Sequence, residues 1–349
     1  MGQKLINHIQ ENKIKSLGII GMAKNAGKTV TLNTIITEAN SLGLKLAILS
    51  FGRDGEKIDS LTMKRKPAID IKKGNIFVTA NETFLASSVE GEKLFSLDYS
   101  TAFGKVNIYR ALSDGKVELL GVNKVKQIKK IKRKIVEDID LLLIDGAIDR
   151  RSSAIPDLVE GIVLATGAVI ANTGDLMVKK TLYEIQRLSI PPIKTPLYRD
   201  YACKVYKKNK NALIYKKDGI IKTREIEAKT TGSLIEELRN INEKKIQLII
   251  LNGALVEKVA EEIIQLGIKE CVLVVKDGTK LFISKRTFAI LSKYNIRIKS
   301  YKKISIIAVT VNPTSPYGIS LNSDLIIDKL RQSLPGIPIY NVLSGNYFK

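Results

Sequence analysis

Apolar residues in the first part of the chain come as short continuous runs separated by helix-compatible stretches. Positions 17–20 and 45–51 read as buried strands, and 30–42 reads as a helix that stops at Gly43. Strand, helix and strand joined by a short turn make a βαβ unit, which predicts a parallel sheet with a right-handed crossover. The pattern then changes. Positions 76–79, 106–111 and 117–122 read as further strands, and Ser113-Asp114-Gly115 reads as a hairpin turn. Residues from about 70 to 122 are therefore predicted as a β-rich insertion.

A basic amphipathic helix is predicted over 124–137, followed by the run Asp140-Leu141-Leu142-Leu143-Ile144-Asp145-Gly146, an apolar strand ending in a carboxylate. One or two strands over 161–166 and 168–171 and a helix at 175–188 follow. Pro191, Pro192 and Pro196 then break the pattern, and 199–210 is dense in charge and Tyr. From 233 onward helices at 233–238, 256–266, 286–294 and 324–334 alternate with strands at 246–251, 271–275, 281–284, 304–311 and 337–342. The predicted fold class is α/β. A parallel-sheet domain with its insertion occupies 1–190, a linker region 191–232, and a C-terminal α/β domain 233–349.

Composition narrows the function classes. Of 349 residues, 44% are hydrophobic and 26% charged, as in ordinary globular chains. No run approaches the roughly 18 apolar residues of a membrane span. The first fifteen positions read as polar, without the apolar stretch of a signal peptide. The expectation is a cytoplasmic protein with no membrane partner. The net charge of +22 invites a nucleic-acid reading. Lys is spread along the chain beside frequent Ile, however, and there is no Trp and no basic stretch interleaved with aromatics. The basic runs at 126–134 and 204–210 are therefore read as solvated faces, and nucleic acid is not an expected partner. Cys203 and Cys271 lie far apart, which speaks against a disulfide framework and suits a reducing compartment. His8 is the only histidine. That removes Ser-His-Asp catalysis and multi-histidine metal sites, and leaves acid–base work to Asp, Glu, Lys, Tyr or water.

The densest chemical signal is 21–29, Gly-Met-Ala-Lys-Asn-Ala-Gly-Lys-Thr, between the first strand and the first long helix. A Gly-rich strand-to-helix turn ending in Gly27-Lys28-Thr29 is a phosphate loop of Walker A type. Backbone N–H groups and the helix N-terminus face the phosphates, Lys28 adds a point charge, and Thr29 offers a hydroxyl to Mg²⁺. The pattern expects glycine at position 22, where Met22 stands, with Gly21 one residue earlier. Gly21, Lys24, Asn25, Ala26, Gly27, Lys28 and Thr29 form the expected nucleotide-binding set. Lys24 reads as a solvated loop lysine or an extra phosphate contact. Asp145 is the expected Mg²⁺-side acid of Walker B type, with Thr29 as the second metal-side group. Asp54 and Glu56, after the second parallel strand, are expected to orient the attacking water or to hold Mg²⁺ through water; Arg53 would stabilise charge on the phosphates. Arg150 and Arg151 read as a solvated pair. Asn172-Thr173-Gly174-Asp175 has Thr where a guanine-reading motif has Lys, so it reads as a helix cap and ATP is preferred to GTP.

Taken together, 21–29, Gly-Arg-Asp-Gly-Glu at 52–56, Arg-Ala-Leu-Ser-Asp-Gly at 110–115 and Asp-Gly-Ala-Ile-Asp-Arg-Arg at 145–151 resemble the P-loop subunit of lysine 5,6-aminomutase reactivases, the KamB-like family, which is related to accessory proteins of ornithine aminomutase. The resemblance covers roughly residues 15–190. It implies a P-loop NTPase fold and an ATP- and Mg²⁺-dependent, chaperone-like reactivating subunit. Such a subunit promotes exchange of damaged cobalamin in an aminomutase that uses adenosylcobalamin and pyridoxal phosphate, together with a MutS-related ATPase subunit. Carried onto this chain, Lys28 and Thr29 bind ATP and Mg²⁺, and Asp145 is the Walker B acid. The alternative reading is a small-molecule ligase or kinase of the dethiobiotin synthetase-like type, since one sheet and loop serve many reactions.

Overall fold

The computed structural model describes residues 5–51, 68–122, 124–146, 155–227, 231–240, 245–342 and 347–348. The chain forms two compact units, one made of 1–184 and 305–349 and the other of 185–304.

The first unit begins with α1 (Leu5–Glu11), β1 (Ser16–Gly21), α2 (Lys28–Ser41) and β2 (Leu46–Ser50). The start of the chain is less polar than its composition implies, because Leu5, Ile6 and Ile9 lie on one face of α1 and are buried. Strands β1 and β2 are buried along their whole length. That pattern belongs to parallel strands covered on both faces. Helix α2 buries Thr31, Leu32, Ile35, Ile36 and Ala39, and its aliphatic side chains share a core with Leu17, Ile19, Leu46 and Ile48.

The insertion contributes β3 (Ile69–Ile71), β4 (Ile76–Ala80), α3 (Asn81–Leu85), β5 (Gly91–Thr101), β6 (Gly104–Ala111) and β7 (Gly115–Val117). Its hairpin is not the one the sequence predicts. Strand β6 folds back on β5, whereas β7 pairs antiparallel with β3. The Asp114 carboxylate redirects the chain by accepting from the Lys73 N–H at 2.8 Å and the Lys72 ammonium at 2.8 Å. Next come α4 (Val125–Ile135), β8 (Leu141–Asp145), α5 (Ile155–Leu158), β9 (Gly161–Gly167) and α6 (Gly174–Leu188). Of the one or two strands read over 161–171, β9 forms, and Ala168–Ile170 make one 3-10 turn.

The second unit holds α7 (Pro196–Lys207), β10 (Lys210–Lys217), β11 (Ile220–Glu227), α8 (Thr231–Asn240), β12 (Lys245–Ile250), β13 (Leu255–Val256), α9 (Glu257–Gln265), β14 (Val272–Val275), β15 (Leu281–Phe282), α10 (Lys285–Lys293) and β16 (Arg297–Ser300). Its main sheet runs β11-β10-β12-β14-β16, with the last three strands parallel. Alternate residues feed two cores. Leu213, Ile249, Leu273 and Val275 belong to one, and Ala212, Ile214, Leu248 and Val274 to the other. The segment 191–232, expected as a linker, is part of this unit: its helix and hairpin pack into these cores.

The chain then returns to the first unit with β17 (Ile306–Asn312), α11 (Ser323–Ser333), β18 (Ile339–Asn341) and β19 (Tyr347–Phe348). This grouping differs from the expected domain at 233–349, because β17 pairs in parallel with β9 and not with a strand of the second unit. The sheet of the first unit has the order β19-β18-β17-β9-β1-β8-β2-β4-β6-β5. It is parallel from β18 to β4 and antiparallel at β6, β5 and β19. The architecture is thus mixed α/β around a large, mainly parallel sheet. No helix among the described residues is long and apolar enough to cross a membrane.

Candidate functional site

The 22–27 loop leaves the carboxyl end of β1, which lies between β9 and β8. From β1 the chain crosses to β2, and β8 later fills the place between them; β9 then takes the other side of β1. The carboxyl edge at such a reversal of strand order is where open α/β sheets receive ligands.

The loop is fixed by backbone. The Met22 N–H bonds the Ala165 carbonyl at 3.0 Å, so the chain follows β9 for one residue past β1. Asn25 and Gly27 are left-handed, with φ of 62° and 97°. Gly27 precedes α2, and its carbonyl accepts from the Thr31 N–H at 2.9 Å. The first turn of α2 carries no acidic residue, so its positive end is not neutralised within the helix.

Three glycines around the loop let neighbours approach closely. A Cβ on Gly21 would lie 2.7 Å from Lys28 Cγ and 2.8 Å from Lys28 Cδ. The Lys28 side chain therefore folds across Gly21, in the space that a side chain at this position would take. A Cβ on Gly27 would lie 3.1 Å from Asn312 Cβ, and one on Gly167 would lie 3.0 Å from the Asn312 carbonyl oxygen and 3.3 Å from that of Ala26. The ends of β9 and β17 thus wall the loop. The buried Thr31 and Thr310 hydroxyls bond at 2.8 Å and tie the first turn of α2 to β17.

Asp145 closes β8, fully buried, in register with Ile19 of β1 and Ser50 of β2. Its carbonyl accepts from the Phe51 N–H at 2.9 Å, and Gly146 turns the chain away at φ 84°. The structure therefore brings Gly21, Ala26, Gly27 and Lys28 to one strand end, with Asp145 on the adjoining strand. Lys24 is exposed, while Asn25, Lys28 and Thr29 are half-buried. Arg53, Asp54, Glu56, Arg150 and Arg151 lie outside the described residues.

The other singled-out positions have local roles. The Thr173 hydroxyl accepts from the Leu176 N–H at 3.3 Å and caps α6. Asp175 pairs with Lys329, whose hydrogen bond holds the carboxyl below its usual range. Arg110 pairs with Glu92 at 3.0 Å on the insertion. Sequence reasoning missed Gly167, Thr310 and Asn312; no local signal marks them, because they reach the loop only through β9 and β17.

Among the described residues no group of three or more His, Cys, Asp or Glu side chains could hold a metal ion. A helix N-terminus, a lysine folded into the loop, a hydroxyl at Thr29 and one carboxylate on the next strand suit an anion that carries a cation. Comparison with protein-family models, with curated proteins and with solved structures found no match to this chain.

Proposed function

We propose that the chain is a P-loop ATPase that works as the reactivating, chaperone-like subunit for an adenosylcobalamin-dependent lysine or ornithine aminomutase. One observation carries the nucleotide part: Lys28 folds over Gly21 at the mouth of α2, one strand from the buried Asp145. Lys28 would pair with phosphate oxygens, a charge-assisted contact worth about 1.5–3 kcal/mol. The backbone around Asn25 and Gly27 would donate to the same anion, because residues that change hand curl N–H groups into a concavity. Thr29 and Asp145 would hold Mg²⁺, directly or through water, and the ion supplies charge neutralisation on the phosphates.

The aminomutase part rests on the motif resemblance at 21–29, 52–56, 110–115 and 145–151. In this reading ATP binding and hydrolysis bias two conformations that hold the client enzyme differently, so that damaged cobalamin leaves and intact cofactor enters. A MutS-related ATPase subunit would be the partner, with the client supplying the cobalamin site.

The test is a reactivation assay. Cobalamin-inactivated aminomutase is mixed with this chain, its partner subunit, ATP, Mg²⁺ and fresh adenosylcobalamin. Recovery is expected with the wild-type chain and not with Lys28→Ala. No recovery with wild type, or equal recovery with the variant, overturns the proposal.

A further inference from the structure

The second unit carries an open sheet edge beside a groove. Strand β16 pairs with β14, and the Arg297 and Tyr301 N–H groups bond Cys271 and Val275 at 2.9 and 2.8 Å. Backbone groups alternate along a strand, so those of Ile298 and Ser300 turn the other way. The outward groups of Ser300 are taken: its N–H bonds the Pro191 carbonyl at 3.1 Å and its carbonyl accepts from the Ile193 N–H at 2.8 Å. The short covering segment stops there. Pro191 and Pro192 have no N–H to continue a ladder. Among the described residues no hydrogen bond reaches the outward N–H and C=O of Ile298.

A groove of about 460 Å³ lies against that bare stretch. Ile190, Phe288 and Ile298 give it apolar lining, and Gln186, Asn295, Arg297 and Lys299 are among its polar residues. Both charged lining residues are basic and none is acidic. An unpaired edge, an apolar trough and a cationic rim are the three parts of a strand-addition site: main-chain bonds give affinity, and pockets for alternate side chains give specificity.

We infer that the β16 edge is a docking site for an extended acidic peptide segment of a partner protein. The segment adds as a strand outside β16, bonds the N–H and C=O of Ile298, sets an apolar side chain on Ile190 and Phe288, and places carboxylates by Arg297 and Lys299. The inference uses the second unit alone, so it stands or falls separately from the nucleotide reading.

The probe is a fluorescein-labelled seven-residue peptide of alternating Glu and Val, titrated into the full chain at low salt and read by polarisation. Controls are the same peptide with Lys for Glu, and two forms N-methylated on alternate amides so that either one edge or the other is blocked. The acidic peptide is expected to bind at least about tenfold tighter than the basic one, since rim charges steer and select. One N-methylated form should lose about tenfold and the other keep its affinity, because only one edge faces β16. Arg297→Glu with Lys299→Glu should reverse the charge preference; Arg297 is exposed, so Arg297→Glu alone serves if the double variant does not fold. No binding up to millimolar peptide, equal binding of acidic and basic peptides, or indifference to both N-methylations overturns the proposal.

Discussion

Replacing Gly21 by Ala places one methyl where the Lys28 side chain now lies, 2.7 Å from Cγ and 2.8 Å from Cδ. Contacts under 3 Å between carbons are repulsive, so Lys28 must swing away while the backbone stays. Gly21 closes β1 with a backbone that alanine also adopts, and an added Cβ there favours folding by about 0.5–1 kcal/mol. That gain offsets the cost of moving a flexible side chain, so the melting temperature should shift by no more than a few degrees. Binding should change far more. If Lys28 makes a charge-assisted bond to phosphate, its loss costs about 1.5–3 kcal/mol, or roughly 10- to 150-fold in Kd. The assay is titration with a fluorescent ATP analogue and Mg²⁺ for wild type, Gly21→Ala, Lys28→Ala and the double variant. The geometry requires non-additivity: once Lys28 is truncated, the methyl at 21 keeps only its contact with the Ala23 carbonyl oxygen at 3.2 Å, and the double variant should bind close to Lys28→Ala. Full additivity, or unchanged binding by Gly21→Ala, would refute the account of Lys28.

Three further outcomes follow from buried groups. Burial raises the Asp277 carboxyl above its usual value against the opposing hydrogen bonds from Thr279, so its charged form destabilises the fold. That penalty is absent below about pH 4 and grows as pH rises through the folded value; Asp277→Asn should therefore gain in melting temperature over wild type from pH 4 to 8, and a constant difference would contradict it. Cys271 is buried, with its thiol pushed up to about 12, whereas Cys203 is half-buried. Iodoacetamide followed by mass spectrometry should modify Cys203 in the native protein and Cys271 only after unfolding. Thr310→Val should cost about 1–2 kcal/mol in urea unfolding by orphaning the Thr31 hydroxyl, and the Thr31→Val, Thr310→Val double variant should cost less than the sum of the single changes.

The elements around the loop were legible because burial wrote them into local pattern. Strands β1, β2 and β8 are continuous apolar runs, and α2 starts where Gly27 ends the loop. Other elements were hidden by mixed signals. Pro196 reads as a breaker, yet it stands at the first position of α7, where a missing N–H costs nothing. The β10–β11 hairpin was lost among lysines, although Asp218 and Gly219, left-handed at φ 50° and 79°, are the residues a tight hairpin turn demands. Strand β17 was found as a strand, but nothing local tells which sheet it joins. That choice depends on β9, more than a hundred positions earlier, and with it went Thr310 and Asn312.

The return of β17 sets the order in which the polypeptide can mature on the ribosome. At about 5–20 residues per second, the 185–304 stretch takes on the order of ten seconds to synthesise. Through that interval β9 lacks the neighbour that later covers its outer edge, and Thr31 lacks Thr310. The second unit has its own cores and can condense meanwhile. The nascent first unit therefore waits with an apolar strand edge open, a state that pairs readily with other chains. A nonsense mutation anywhere between 185 and 304 would not yield a shortened but complete first unit. It would release a sheet that ends at the uncovered edge of β9, fit for chaperone capture or degradation.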